Sequence, residues 1–318
     1  MKDTMHYDES EARYLQSVGH QDEATSIFFA RQLEHVRAQA LEVKKQPLES
    51  FNVFPVQTDI PVGAESAVIR IFDSVGTAKI ISNYADDLPR VSVAAKEESV
   101  KVFMLGDSYG YNIREVQNAQ FANINISARK ALMARRAIDV KLDGIAWHGD
   151  ASHKIPGFFG NTNISEYTVP TNAANTTKIE DMTVDEAIAF FNAFLEAIPT
   201  ATNQVEHANT VLLYPKAYNH LATARIPNTM NTVLDFLKGV HPEITRWMKV
   251  GKLAGAGTSG KDLIYAGYFD PSYIRFEIPE RFHQHEVEKR NLEYVIDCTA
   301  SAVGVTVFIP YAFLKAQC

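Results

Sequence analysis

The sequence predicts an α+β fold, and three observations carry that prediction. Stretches with apolar residues near helical spacing are interspersed with short runs rich in β-branched residues. The β-rich runs are separated by turn signals suited to mostly antiparallel pairing, and the chain has neither a repeat of solenoid period nor a low-complexity tract. With 318 residues, 46% apolar and 22% charged, the chain is long enough to bury a real core, and its composition excludes a wholly disordered or collagen-like chain.

Residues 1–22 are polar and patternless, as expected of a segment ordered by contacts with something else. From Glu23 to Lys45, apolar residues including Ile27, Phe28, Leu33 and Val36 fall near helical spacing, with Arg31, Glu34 and Arg37 between them. This predicts an amphipathic helix in an N-terminal arm. Between Phe51 and Val102 the texture turns to β, with strands expected at 67–72, 75–81 and 91–93 and turns at Asp73-Ser74, Asp86-Asp87 and Pro89. The result is an extended hairpin, and because two-stranded ribbons are marginal in water its stability is expected to come from a neighbour.

Residues 111–147 contain no proline and predict two helices, with Asn123–Ser127 supplying the break and Ser127 the cap. The second helix, ending near Trp147, would be about 30 Å long at ~1.5 Å per residue, a spine for a small domain. Gly149–Asn161 ends it in a glycine-rich turn, and a Thr- and Asn-rich link through Lys178 marks a boundary. Thr183-Val-Asp-Glu186 opens the next helix as a capping box, with an apolar stripe up to Pro199. A strand at Thr210–Tyr214, a helix after Pro215 and another at 232–237 follow. Strands are expected at 262–270 and 273–278, with 292–297 and 303–309 as the last pair.

Thirty-one Lys and Arg against 38 Asp and Glu leave a net charge of −7, so no bulk positive field draws in nucleic acid or an anionic membrane; any DNA contact must be local. Cys298 and Cys318 form neither a disulfide framework nor a C-x-x-C spacing, which fits a reducing cytoplasm. The first residues lack an apolar export segment, and the longest uncharged stretch, between Asp297 and Lys315, reads as a strand through Val303, Val305, Val307 and Ile309.

Gly255-Ala-Gly-Thr-Ser-Gly-Lys261 satisfies two phosphate-loop patterns, but a phosphate loop needs a helix after it, whereas Leu263–Phe269 is rich in β formers. Asp262 stands where a magnesium-holding hydroxyl is required and would repel phosphate, so the segment reads as a flexible hairpin loop between strands. His283 and His285 could share a strand face, yet zinc needs three or four ligands and no others are identifiable; they read as a surface pair. His148, Asp150 and His153 cluster in the turn after the spine, where such residues are common. No nucleophile elbow, H-E-x-x-H pair or spaced carboxylate dyad is present, and Cys298 lies in an apparent core strand. Arg129, Lys130, Arg135, Arg136 and Lys141 give the spine a basic bias opposed chiefly by Asp139 and Asp143; it reads equally as a solvated face or a sequence-independent DNA contact.

The order of parts, with Ser127–Asp150 running into Ile155-Pro-Gly-Phe-Phe-Gly-Asn161, Gly76–Pro89 in the extended loop and Gly304–Ala312 near the end, resembles the major capsid proteins of tailed double-stranded DNA phages, the Hong Kong 97 type fold. The resemblance implies an N-terminal arm (1–50), an extended loop (51–110), a peripheral domain with the spine helix (111–180), an axial domain of mixed sheet flanked by helices (181–290) and closing strands of the peripheral domain (291–318). It implies a protein without enzymatic activity, catalytic residues, cofactor or metal, localised in the virion capsid and assembled in the host cytoplasm. Its partners would be itself, in hexamers and pentamers, and packaged double-stranded DNA held non-specifically. Portal, scaffolding and decoration proteins are further expected partners, and no membrane is. Ile69, Ile71, Phe72, Ile80 and Ile81 in the loop, with Phe28 and Leu33 in the arm, need an apolar cover and are the candidate subunit-interface residues. Arg129, Arg135 and Arg136 are the candidate DNA-facing residues. Lys79 and Asn83 lie in the loop, but no motif assigns them to a Lys–Asn cross-link. An encapsulin-like compartment with protein cargo is the alternative, and a nucleotide-binding enzyme built on Gly255–Lys261 is a third reading.

Overall fold

The computed structural model describes residues 46–75, 92–121 and 126–318. The arm helix expected over 23–45 therefore lies outside the described residues, as do Phe28, Leu33, Lys79, Ile80, Ile81 and Asn83. Residues Leu48–Cys318 form one packing unit.

The unit opens with a single helical turn, α1 (Ser50–Val53), which places Val53 and Phe54 in the core, and continues into the short strand β1 (Val56–Gln57). Strands β2 (Ser66–Val75) and β3 (Ser92–Lys101) then form an antiparallel ribbon running from Ser66 opposite Lys101 to Val75 opposite Ser92. The ribbon corrects two expectations. Asp73 and Ser74 are not a turn, because the register passes unbroken through them to Ala94 and Val93. The strand expected at 91–93 runs on to Lys101, where the ladder with β2 overrides the weak β propensity of Glu97-Glu-Ser99.

Strand β4 (Phe103–Asn112) was not foreseen. Helices α2 (Ile113–Phe121) and α3 (Ile126–His148) follow, the latter of 23 residues or about 34 Å at ~1.5 Å per residue. Two helices were expected here, but Ser127 lies inside the first turn of α3 instead of capping it. Ala134, Ile138, Leu142, Ile145 and Ala146 line the buried face of α3 at helical spacing. Gly149, at φ +70°, turns the chain back; a Cβ there would sit 2.3 Å from the Ile155 carbonyl oxygen. The return is locked by Phe158 N–H donating to Ala146 O and Phe159 N–H to Trp147 O, at 3.0 and 2.9 Å.

Strand β5 (Ser165–Tyr167) precedes helix α4 (Val184–Ala201), whose Thr183 and Glu186 make the expected capping box. Helix α4 runs two residues past Pro199, whose missing N–H leaves one ladder bond unmade in its last turn. Then come β6 (Thr210–Leu213), α5 (Pro215–Thr223), α6 (Val233–Val240) with Thr232 as its cap, and β7 (Arg246–Lys249). The remainder is all strand apart from short 3-10 turns: β8 (Leu263–Gly267), β9 (Ile274–Glu277), β10 (Glu280–Gln284), β11 (Glu288–Arg290), β12 (Glu293–Ala302), β13 (Gly304–Val307) and β14 (Phe313–Gln317).

These strands form a five-stranded mixed sheet in the order β5-β14-β8-β6-β7, a three-stranded sheet β1-β9-β13, and a sheet β10-β12-β11 in which β4 also pairs with β12. The segments expected as a last pair do not pair with each other: β12 joins β4, β10 and β11, while β13 joins β9 after the chain turns at Gly304, φ +111°. Phe158 fastens the turn after the spine to the five-stranded sheet, with ring centroids 4.5 Å from Tyr265, 6.0 Å from Phe269 and 6.4 Å from Phe313.

Candidate assembly surfaces

The ribbon is rooted by backbone bonds on one side. Phe276 N–H donates to Pro55 O (2.8 Å) and Ile278 N–H to Gln57 O (2.9 Å), which sets β1 parallel to β9, and Val102 N–H closes the ribbon base on Glu65 O (3.0 Å). Beyond that root, β2 and β3 pair only with each other among the described residues, over about 34 Å at ~3.4 Å per residue. Ile69, Ile71 and Phe72 all lie in β2, at the register positions of Glu98, Lys96 and Ala95. Exposed apolar side chains flank the base, with Val62, Val68 and Met104 more than half accessible.

Entry into the ribbon is coupled to the spine by a buried carboxylate. Asp143 accepts from Ser50 N–H at 2.9 Å and lies 3.6 Å from Lys252 Nζ, while Glu49 accepts from the N–H groups of Gly251 (3.0 Å) and Lys252 (3.2 Å). Asp143 was read from the sequence only as a charge opposing the spine's basic bias, and Glu49 was not singled out, since their partners lie 93 to 203 residues away.

The basic bias of the spine is partly spent within the chain. Lys130 Nζ lies 2.8 Å from Glu115 and donates to Gly110 O at 2.7 Å, Lys141 pairs with Asp150 at 3.2 Å, and Asp139 lies 3.7 Å from Arg281. Arg129 and Arg135 are exposed, and Arg136 is half-buried. Hydrogen bonds from the Ser152 hydroxyl, His153 and Lys141 hold the Asp150 carboxyl well below the usual range, so it serves as a charged clamp on the turn after the spine.

The glycine loop has its own internal partners. Gly255 N–H donates to Asp262 Oδ1 (2.7 Å), Gly257 N–H to Lys261 O (2.7 Å) and Thr258 N–H to Gln317 Oε1 (2.9 Å), so the donors a phosphate would require are occupied. No helix follows; β8 does, and because β7 and β8 lie on opposite sides of β6 the segment is a crossover and not the expected hairpin loop. His283 and His285 are exposed, with rings 4.8 Å apart and His285 Nε2 3.1 Å from Thr299 Oγ1. Among the described residues no three His, Cys, Asp or Glu side chains are placed to share a metal ion. Cys298 and Cys318 are free and buried; burial raises both thiols, Cys318 to about 12.

The family model for the major capsid protein matches residues 76–317. The chain belongs to the major capsid protein family. No curated protein matches the sequence. Among solved structures, the capsid of Myoviridae phage XM1 is similar at a TM-score of 0.75 and 18% identity, covering 92% of this chain and 99% of that one. A capsid from an empty GTA particle is similar at 0.63 and 10%, covering 90% and 95%. A virus-like particle from Pyrococcus furiosus is similar at 0.51 and 14%, covering 83% and 90%. What these likenesses share with the chain is its fold, the mixed α+β capsid architecture of the Hong Kong 97 type. The resemblance read from the spine and its glycine turn is thereby borne out as a family and as a fold.

Proposed function

We propose that the chain is the repeating subunit of a closed icosahedral shell, built from its hexamers and pentamers and enclosing phage double-stranded DNA. The observation that carries this reading is the ribbon: twenty strand residues whose ladder is confined to β2 and β3 among the described residues, in a chain of a shell-forming family. A lone ribbon is marginal in water, and a neighbouring subunit supplies the missing cover through Ile69, Ile71, Phe72, Ile80 and Ile81, with Phe28 and Leu33 of the arm adding to it. Heterologous contacts of that kind close into rings, the geometry of capsomers. Arg129 and Arg135, with Arg136 beside them, face the packaged DNA as sequence-independent contacts, and the acidic net charge keeps the shell from gripping it. Assembly takes place in the host cytoplasm, with portal, scaffolding and decoration proteins as accessory partners.

A second reading is an encapsulin-like compartment for protein cargo; the Pyrococcus furiosus particle, described as virus-like, shares the fold and is compatible with either content. Electron microscopy of the expressed full-length chain tests the shell, and nuclease-protected DNA in native particles separates the two contents. Closed particles with protected DNA are expected; particles loaded with protein instead would favour the compartment. A monodisperse monomer at every salt and protein concentration would overturn both.

A further inference from the structure

The root of the ribbon holds a cleft with an incomplete charge. Alternation along β9 sends Phe276 into the core and leaves Arg275 and Glu277 on the opposite face, where they line a cavity of about 650 Å³ together with Asp59, Ile60, Val68 and Phe308. Glu277 is only 6% exposed, and its Oε2 is buried with no hydrogen-bond partner. An acceptor withdrawn from water without a donor is costly, and a carboxylate more so.

The Arg275 guanidinium is engaged elsewhere. Arg275 donates through Nε to Pro271 O and stacks its guanidinium 5.1 Å from the Phe308 ring centroid. Asp59, exposed on the link between β1 and β2, adds a second negative charge. Burial raises the Glu277 carboxyl above its ordinary range; Arg275 opposes that rise and Asp59 adds to it. The site therefore accepts either a proton or a cationic head, and the apolar wall of Ile60, Val68 and Phe308 suits an aliphatic stem carrying that head.

We propose that this cleft is a socket for a lysine or arginine side chain of a second copy of the chain, whose charged head pairs with Glu277 and Asp59. The inference rests on the shell reading, since Ala67 and Val68 at the base of the interlocking ribbon form part of the cleft wall. It carries a sign that a purely structural glutamate would not. In the free chain the buried charge is a cost, whereas in the particle it is neutralised by the neighbour.

The test measures thermal unfolding and particle formation of the wild type and Glu277→Gln, below and above the concentration at which particles form. Glu277→Gln is expected to leave the free chain as stable or more stable, to lower the stability of the particle, and to raise the concentration needed for assembly by about tenfold or more. The pH dependence follows from linkage. Pairing lowers a carboxyl that is raised in the free chain, so wild-type assembly releases a proton below the free-chain value, strengthens as pH rises toward it and levels off above it. That dependence is lost in Glu277→Gln. Asp59→Asn, at an exposed position where folding is not at risk, should weaken assembly in the same direction by a smaller factor. Equal assembly and equal pH dependence of wild type and Glu277→Gln, or stability shifts of one sign in both states, would overturn the socket while leaving the shell intact. A wild-type chain that forms no particles at all would instead remove the shell reading on which the socket stands.

Discussion

The aromatic cluster around Phe158 and the ribbon of β2 and β3 solve burial in opposite ways. Around Phe158, the rings of Phe54, Trp147, Tyr265, Phe269 and Phe313 come from four separate segments and are almost wholly withdrawn from water. The ribbon has a backbone ladder and, among the described residues, no third strand. One region is complete within a single chain, while the other is an unfinished sheet. On the proposed shell reading, stability and assembly are held by separate parts of the molecule, so substitutions should separate them.

The largest effect is expected in the completed region. Phe158→Ala should cost about 3–5 kcal/mol in chemical denaturation of the chain, because a fully buried ring is lost from a packed cluster. A loss below about 1 kcal/mol would mean the cluster is not the core that the comparison takes it to be. Asp143→Ala tests the joint between the regions. It leaves the buried Ser50 N–H without its acceptor, and about 1–3 kcal/mol should disappear. Limited proteolysis of that variant should cut first at residues 48–65, the entry to the ribbon; cutting that begins in the five-stranded sheet would show that Asp143 does not serve this joint. Thr183→Ala removes the capping box of α4, a helix that shares no strand with the ribbon, and should cost about 1 kcal/mol while leaving particle formation unchanged. Impaired assembly at full folded content would break the proposed separation.

Local chemistry made much of the fold legible. The spine, the Thr183 capping box, the strand before Pro215 and the helix after it are each set by residues within a few positions of one another. Strand β4 was not legible, because Gly106, Asp107, Ser108 and Gly110 argue against β structure and its partner lies about 190 residues away in β12. The ribbon was foreseen as a hairpin but not at its true length, since Asp73-Ser74 mimics a turn that the register with β3 overrides. Among functional residues, the basic spine was visible from composition, but the pairing of Lys130 with Glu115 and of Lys141 with Asp150 is tertiary information. Glu277 gave no signal at all. A carboxylate in a strand reads as solvated until β1 and β13 close over its neighbours.

The most direct test replaces Ser66–Lys101 with a short Gly-Ser linker and follows both urea unfolding and particle formation by sedimentation. A subunit within about 1 kcal/mol of the parent that forms no shells is the expected result, since among the described residues the ribbon's ladder joins no other strand. Shells of normal size without the ribbon, or a chain that no longer folds, would contradict the claim that this segment exists to be completed by a neighbour.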